Sequence, residues 1–244
     1  MIEELPDFIT LLAKRFPDTV FFHYLYIWRT VAYALIVALI LSILAFVAGR
    51  KKALIPGRLQ NMAEVLIGGA DDFICGILGS RGRKYTPFIG TLFFYILCMN
   101  LMGLVPFFKS ATTSWSTTLA LALCVFGYVQ YSAIREMGFI GYIDHAAGKP
   151  RGIIAFSVIL PIMMFLLHML SELIKPISLS LRLRSNIWGD DMLLSVLAGF
   201  GIKGFILLFI NMLATVLAGI VQAMVFCVLT TIYFAVLLPL EEAK

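Results

Sequence analysis

Apolar residues run almost unbroken from Tyr26 to Ala48, with Arg29 the one charge. These 23 residues, at about 1.5 Å each, cross roughly 30 Å of hydrocarbon and predict a first spanning helix over 26–48. From Leu59 the pattern changes. Leu59, Met62, Ala63, Leu66, Ala70, Phe73, Ile74 and Ile77 share one face, while Gln60, Asn61, Glu64, Asp71 and Asp72 lie opposite. That period predicts an amphipathic helix over 59–79 lying along the membrane surface.

Pro87 opens an apolar stretch that ends at Phe108, and Trp115 to Ile134 forms another after a polar turn around Lys109–Ser114. The two predict a spanning hairpin, 87–108 and 115–134. The last two runs, 153–197 and 202–238, are each much longer than a perpendicular crossing needs. The second would extend roughly 55 Å if fully helical, so this pair must tilt steeply. The expected fold is an all-α membrane protein of five to six membrane-embedded helices, with a long, steeply tilted C-terminal hairpin and one interfacial amphipathic helix. No repeat or flexible linker divides it, so residues 1–244 are read as a single integral membrane domain.

Composition agrees with that solvent. The chain is 61% hydrophobic and 14% charged, with mean hydropathy +0.97, whereas soluble domains carry about a quarter charged residues. Residues 1–17 are acidic and broken by prolines, without the basic-then-apolar pattern of a cleavable leader. Cys75, Cys98, Cys124 and Cys227 are widely spaced and suggest neither a disulfide framework nor a metal site.

The net charge of +5 reads as topology rather than nucleic-acid binding. Ten of the 19 basic residues fall in three clusters: Arg50, Lys51, Lys52 and Arg58; Arg81, Arg83 and Lys84; Arg135, Lys149 and Arg151. Placing all three on the cytoplasmic side sets the N-terminus outside and the C-terminus in the cytoplasm.

The candidate chemistry lies inside the long hairpin. Residues 168–191 hold His168, Glu172, Lys175, Arg182, Arg184, Asn186, Asp190 and Asp191 among apolar neighbours, too many ionisable groups for a lipid-facing helix. A guanidinium does not lose its proton, so Arg182 needs partners or water. On the helical wheel Lys175 is about 20° from Arg182, Asn186 about 40° and Asp190 about 80°, one polar sector provided that Pro176 only kinks the helix. Asp191, about 180° away and roughly 13 Å along, belongs to a separate polar region. On the final run Asn211, Thr215 and Gln222 form a polar stripe expected to face the arginine-bearing helix, although such residues also serve simply to join helices. His168 and Glu172, four apart, are placed to pair, and Lys175 suits snorkelling or support of a proline kink.

The string KPISLSLRLRSN, residues 175–186, resembles the arginine-bearing motif of F-type ATP synthase subunit a. NLMGLVP at 100–106 and VQAMVFCVLTTIY at 221–233 extend the resemblance, with order and spacing agreeing along nearly the whole chain. The resemblance implies a non-catalytic, ion-translocating subunit without cofactor. Two offset half-channels would pass protons to and from a rotating c-subunit ring, in a complex with peripheral stalk b subunits, the F1 sector and membrane lipid. Arg182 takes the place of the stator arginine, Asn186 and Gln222 surround it, and Asp191 stands where the family carries an ionisable half-channel residue. GRKYTPFIGTLFFYILCMNLMGLVP, residues 82–106, looks closer to bacterial members and implies a bacterial plasma membrane.

Two departures stand out. Arg184-Ser185 replaces the usual phenylalanine and glycine, and Thr215 stands where relatives often place a histidine or glutamate. Arg184 and Asp191 are seven apart, about 20° on the wheel, so Arg184 is expected to act on Asp191 through water. A relay at Thr215 would use water as well. Two alternatives remain: a secondary ion-coupled transporter, against which no inverted repeat is visible, and a purely structural membrane subunit, which would tolerate loss of Arg182. Three histidines, with no phosphate-binding glycine loop or paired metal ligands, do not assemble an enzyme site.

Overall fold

A computed structural model of the chain describes residues 28–49, 58–105, 108, 110–146 and 156–237. Arg50, Lys51, Lys52, Lys149 and Arg151, and the ends predicted at 26–27, 153–155 and 238, lie outside the described residues. No strand occurs among those described. The helices are α1 (Arg29–Gly49), α2 (Arg58–Leu78), α3 (Thr86–Met102), α4 (Trp115–Ala146), α5 (Phe156–Ala198) and α6 (Phe205–Leu237), with short 3-10 turns at Gly79–Lys84, Ala111–Thr113 and Gly201–Gly204. The fold is that of an all-α membrane protein. Among the described residues four helices are long and apolar enough to cross a membrane, and α3 is a shorter apolar helix.

The core lies where α3, α4, α5 and α6 meet. Ile96, Met99, Val129, Leu183, Phe226 and Phe234 are buried there. Phe234 stacks on Tyr85 with ring centroids 4.4 Å apart, and Phe88 stacks on Tyr128 at 4.2 Å. The outer faces of α1, α5 and α6 are covered with exposed leucine, isoleucine, phenylalanine and methionine. In water such a surface would aggregate, whereas against lipid or a partner helix it is the expected exterior. Tyr33, Ala34 and Val37 of α1 are buried, with Ala32 and Leu41 packed beside them against the core, and the Tyr95 hydroxyl donates to the Ala34 carbonyl at 3.2 Å.

The helix α4 continues well beyond Ile134, the end that the sequence suggests. Arg135 and Glu136 look like the start of a loop, but Glu136 accepts bonds from Lys84 at 2.8 Å and from the Tyr85 hydroxyl at 2.7 Å. The helical pattern breaks only at Gly138, whose φ of 72° is a left-handed conformation that glycine adopts without Cβ strain. The polar segment before α4 folds into the bundle. Ser110, Ala111 and Thr112 are buried, not an exposed tip.

Their polar groups are satisfied locally. The Ser110 hydroxyl donates to the Met99 carbonyl at 3.0 Å, and the Thr112 hydroxyl donates to Asn100 Oδ1 at 3.0 Å. Asn100 in turn donates from Nδ2 to the Gly219 carbonyl at 3.3 Å. Gly219 has a packing reason, since a Cβ there would sit 3.3 Å from that of Asn100.

The amphipathic α2 is tied to the bundle by one carboxylate. Asp71 accepts a 2.6 Å bond from the Thr86 hydroxyl and a 3.3 Å bond from Arg83 Nε. The Thr86 bond, and then Arg83, hold the Asp71 carboxyl below its ordinary value. A group depressed in the folded state stabilises above its unfolded value, near 3.8, and loses that contribution as pH falls through its folded value. Thr86→Val should therefore move the acid-induced release of α2 to higher pH, followed by limited proteolysis of the 79–84 turn. An unchanged acid profile would contradict this role.

Candidate functional site

The helix α5 runs unbroken through Pro176 rather than breaking there. Proline lacks the N–H that would reach the carbonyl of Glu172, four residues back. The Tyr233 hydroxyl of α6 supplies that carbonyl with a donor at 3.2 Å. A partner helix thus satisfies the carbonyl that Pro176 leaves without its helical partner, and Glu172 is fixed at both backbone and side chain.

That side chain is 1% exposed. Its Oε2 accepts from Gln130 Nε2 of α4 at 2.8 Å, and its Oε1 is ion-paired with Lys175. The Lys175 ammonium also lies 4.0 Å from the centre of the Tyr233 ring, a cation–π contact. Lys175 therefore does not snorkel to a membrane surface. It turns inward because a buried carboxylate and an aromatic face attract it more than the interface does. The carboxylate expected to suit His168 is engaged by Lys175 and Gln130. His168 stands nearby, edge-on to Tyr142 at 6.5 Å between centroids.

These groups open on a cavity of about 450 Å³, lined by His168, Glu172, Lys175, Arg182 and Tyr233 together with apolar residues of α4, α5 and α6. Arg182 lies at one end of this lining. It is exposed on the face of α5 that the chain itself leaves uncovered, between exposed Ile177, Leu181 and Trp188. Among the described residues no carboxylate is ion-paired with it. Within the apolar length Ile162–Leu197, Arg182 is roughly 30 Å from one end and 22 Å from the other at about 1.5 Å per residue.

One turn on, Asn186 reaches back toward α6 and donates from Nδ2 to Gln222 Oε1 at 2.6 Å. Gln222 is 3% exposed and Asn211 6%, and among the described residues Gln222 Nε2 and Asn211 Nδ2 have no partner. Buried amide donors without acceptors are costly unless water or an ion serves them. Thr215 does not face α5 as a donor, for its hydroxyl folds back onto the Asn211 carbonyl at 2.9 Å.

Further along α5, Asp191 Oδ2 accepts from the Thr113 hydroxyl at 2.9 Å. Arg184 Nε donates to the carbonyl of the same Thr113 at 3.3 Å, with its guanidinium carbon 5.3 Å from the centre of the Trp115 ring. Asp190 Oδ2 is buried without a partner among the described residues. The sequence-derived candidates thus divide along α5 into a first group (His168, Glu172, Lys175), an arginine level (Arg182, Asn186, with Gln222 of α6) and a third group (Arg184, Asp190, Asp191), while Asn211 and Thr215 are bonded to each other on α6. Sequence reading missed Gln130, Thr113, Trp115 and Tyr233. A lone glutamine in the apolar Trp115–Ile134 run was the signal for Gln130, whereas nothing local marks the other three.

The family model described as ATP synthase A chain matches residues 31–235. The chain belongs to this family. Among its relatives, "ATP synthase subunit a" of Protochlamydia amoebophila is 37% identical over 252 aligned residues, covering 100% of this chain and 92% of the relative. The protein of that name from Solidesulfovibrio magneticus is 38% identical, covering 87% and 85%. That from Helicobacter pylori is 35% identical, covering 83% and 86%. Membership of the ATP synthase A chain family, with the apolar helices above, makes this chain an integral membrane subunit of an ATP synthase. The grouping of polar residues is then best considered against what such a subunit must do.

Proposed function

We propose that this subunit is the stator part of a rotary proton path, non-catalytic itself, with two offset half-channels meeting at Arg182 against a rotating ring of c subunits. The observation that supports the reading is the placement of Arg182: near the middle of the apolar length of α5, on an apolar face left open by its own chain, and without an ion-pair partner among the described residues. A charge so placed requires a carboxylate from another subunit, and a ring of membrane carboxylates provides one at every step of rotation.

The cavity holding Glu172 and His168 forms the half-channel on the cytoplasmic side, and Asp191, Asp190 and the polar atoms of Asn211 form the outer one. The fixed positive charge of Arg182 between them blocks a proton from passing directly. A proton taken from the outer side neutralises a ring carboxylate, which can then enter lipid. The carboxylate arriving from the opposite direction meets Arg182, which favours its ionised form and drives its proton into the other half-channel. Asn186 and Gln222, hydrogen-bonded to each other, keep the surroundings of Arg182 polar and offer a spare amide donor to water. The b subunits of a peripheral stalk hold the subunit still, and the F1 sector performs the nucleotide chemistry. The N-terminus lies outside and the C-terminus in the cytoplasm of a bacterial plasma membrane. ATP-driven acidification of inverted vesicles carrying Arg182→Ala tests the reading: loss is expected, and wild-type acidification would return the structural-subunit alternative.

A further inference from the structure

We propose that Thr113 and Arg184 are positioning residues for Asp191. Arg184 pins the 110–114 turn onto α5, and the pinned turn holds the Asp191 carboxylate at the outer entrance. The inference deepens the functional proposal and rests on Asp191 belonging to the outer half-channel.

The two ends of the clamp use different parts of one residue. The Thr113 carbonyl accepts from Arg184 Nε at 3.3 Å, and its hydroxyl donates to Asp191 Oδ2 at 2.9 Å. Arg184 and Asp191 are two turns apart on one side of α5, a rise of roughly 10 Å. A single residue from another segment therefore braces both, and neither can shift relative to the turn without stretching one of the bonds.

The turn itself is rigid, because Ser110 and Thr112 are buried and bonded to Met99 and Asn100 of α3. Trp115, the first residue of α4, lies against the guanidinium at 5.3 Å. An arginine can combine a directed Nε–H bond with flat packing on an indole, which a lysine cannot. The neighbouring Asp190 serves as a contrast. It is on the same helix, one residue away, and Oδ2 of its carboxylate has no partner among the described residues. Thr113 links Arg184 and Asp191 directly through protein atoms, a connection that sequence spacing alone does not show.

The test is the initial rate of ATP-driven acidification by the whole complex in inverted vesicles, normalised to the amount of assembled complex. Thr113→Val removes the hydroxyl, and Arg184→Phe removes the bond to the carbonyl while keeping an aromatic neighbour for Trp115. Each should lower the rate about five- to tenfold, the net worth of one ordinary intramolecular hydrogen bond. The double variant should be within about twofold of the slower single variant, since both cut one device. Thr113→Ser, which keeps the hydroxyl, should recover at least about half the rate, which a purely space-filling role of Thr113 would not demand. Wild-type rates in either single variant, or a double loss equal to the product of the two, would overturn the clamp. If Thr113→Val does not assemble, Arg184→Phe alone decides in the same way. Asp191→Asn separates the two levels: wild-type acidification there refutes the half-channel assignment, whereas an inactive Asp191→Asn beside wild-type Thr113→Val and Arg184→Phe refutes only the clamp.

Discussion

Replacing Arg182 with alanine is expected to abolish ATP-driven acidification while the complex assembles in normal amount. The guanidinium is the charge that makes the ionised state of an approaching ring carboxylate favourable. At an effective dielectric of about 20, two charges about 4 Å apart attract by about 4 kcal/mol, roughly a factor of 10³ in the population of the ionised carboxylate. Without it the carboxylate is no longer driven to give up its proton at the stator, and no fixed charge stops protons leaking back between the half-channels. Assembly should survive, because Arg182 is exposed and forms no ion pair among the described residues. Arg182→Lys should retain part of the activity at most, since a lysine supplies a point charge but not the planar fork. Acidification by the alanine variant at more than about a tenth of the wild-type rate would contradict the argument.

The largest effect on stability is expected at Glu172. Glu172→Ala leaves Lys175 beside Tyr233 with no counter-charge and strands the Gln130 amide, and breaking a buried pair from one side costs about 3–5 kcal/mol. Because the Lys175 side chain is 29% exposed, part of its charge can be reached by water, so the lower end of that range, about 3 kcal/mol, is expected. Thermal inactivation of the purified complex measures it. The pair Glu172→Leu with Lys175→Met should recover most of the loss, because two apolar side chains replace the pair without an orphan charge. If Glu172→Ala were as heat-stable as wild type, the buried pair would not be holding α5 to α4 and α6.

Much of this architecture can be read from the chain. The run from Tyr26 places α1, the two-sided pattern around Asp71 sets α2 apart from the spanning helices, and the length of the last two runs foretells the long hairpin. Such features depend on local composition against a fixed hydrocarbon thickness, so no tertiary knowledge is needed. The end of α4 is different. Arg135 and Glu136 read as a helix terminus because the groups that stabilise Glu136, Lys84 and Tyr85, are about 50 residues away in sequence. Burial of residues 110–112 was hidden for the same reason, since the Ser110 and Thr112 hydroxyls are satisfied by Met99 and Asn100.

Within the candidate site, helical spacing gives the separation of Arg182 from Asp191 and the approach of Asn186 to the α6 stripe. Directions are less legible. Lys175 shares a wheel sector with Arg182, yet it turns toward Glu172 and Tyr233 while Arg182 stays outside. The choice is made by a carboxylate on the next turn and a ring from another helix, neither of which a wheel represents. Whether α5 continues through Pro176 is not legible for a similar reason, because the Tyr233 hydroxyl that compensates for it comes from α6.

The central claim is that Arg182 separates two half-channels that communicate only through ring rotation. Its most direct test is passive proton flux across inverted vesicles with F1 attached and nucleotide removed, so that the ring cannot turn. Wild-type vesicles should hold an imposed proton gradient, and Arg182→Ala vesicles should dissipate it through the same complex. Arg182→Ala vesicles as tight as wild type would contradict the claim.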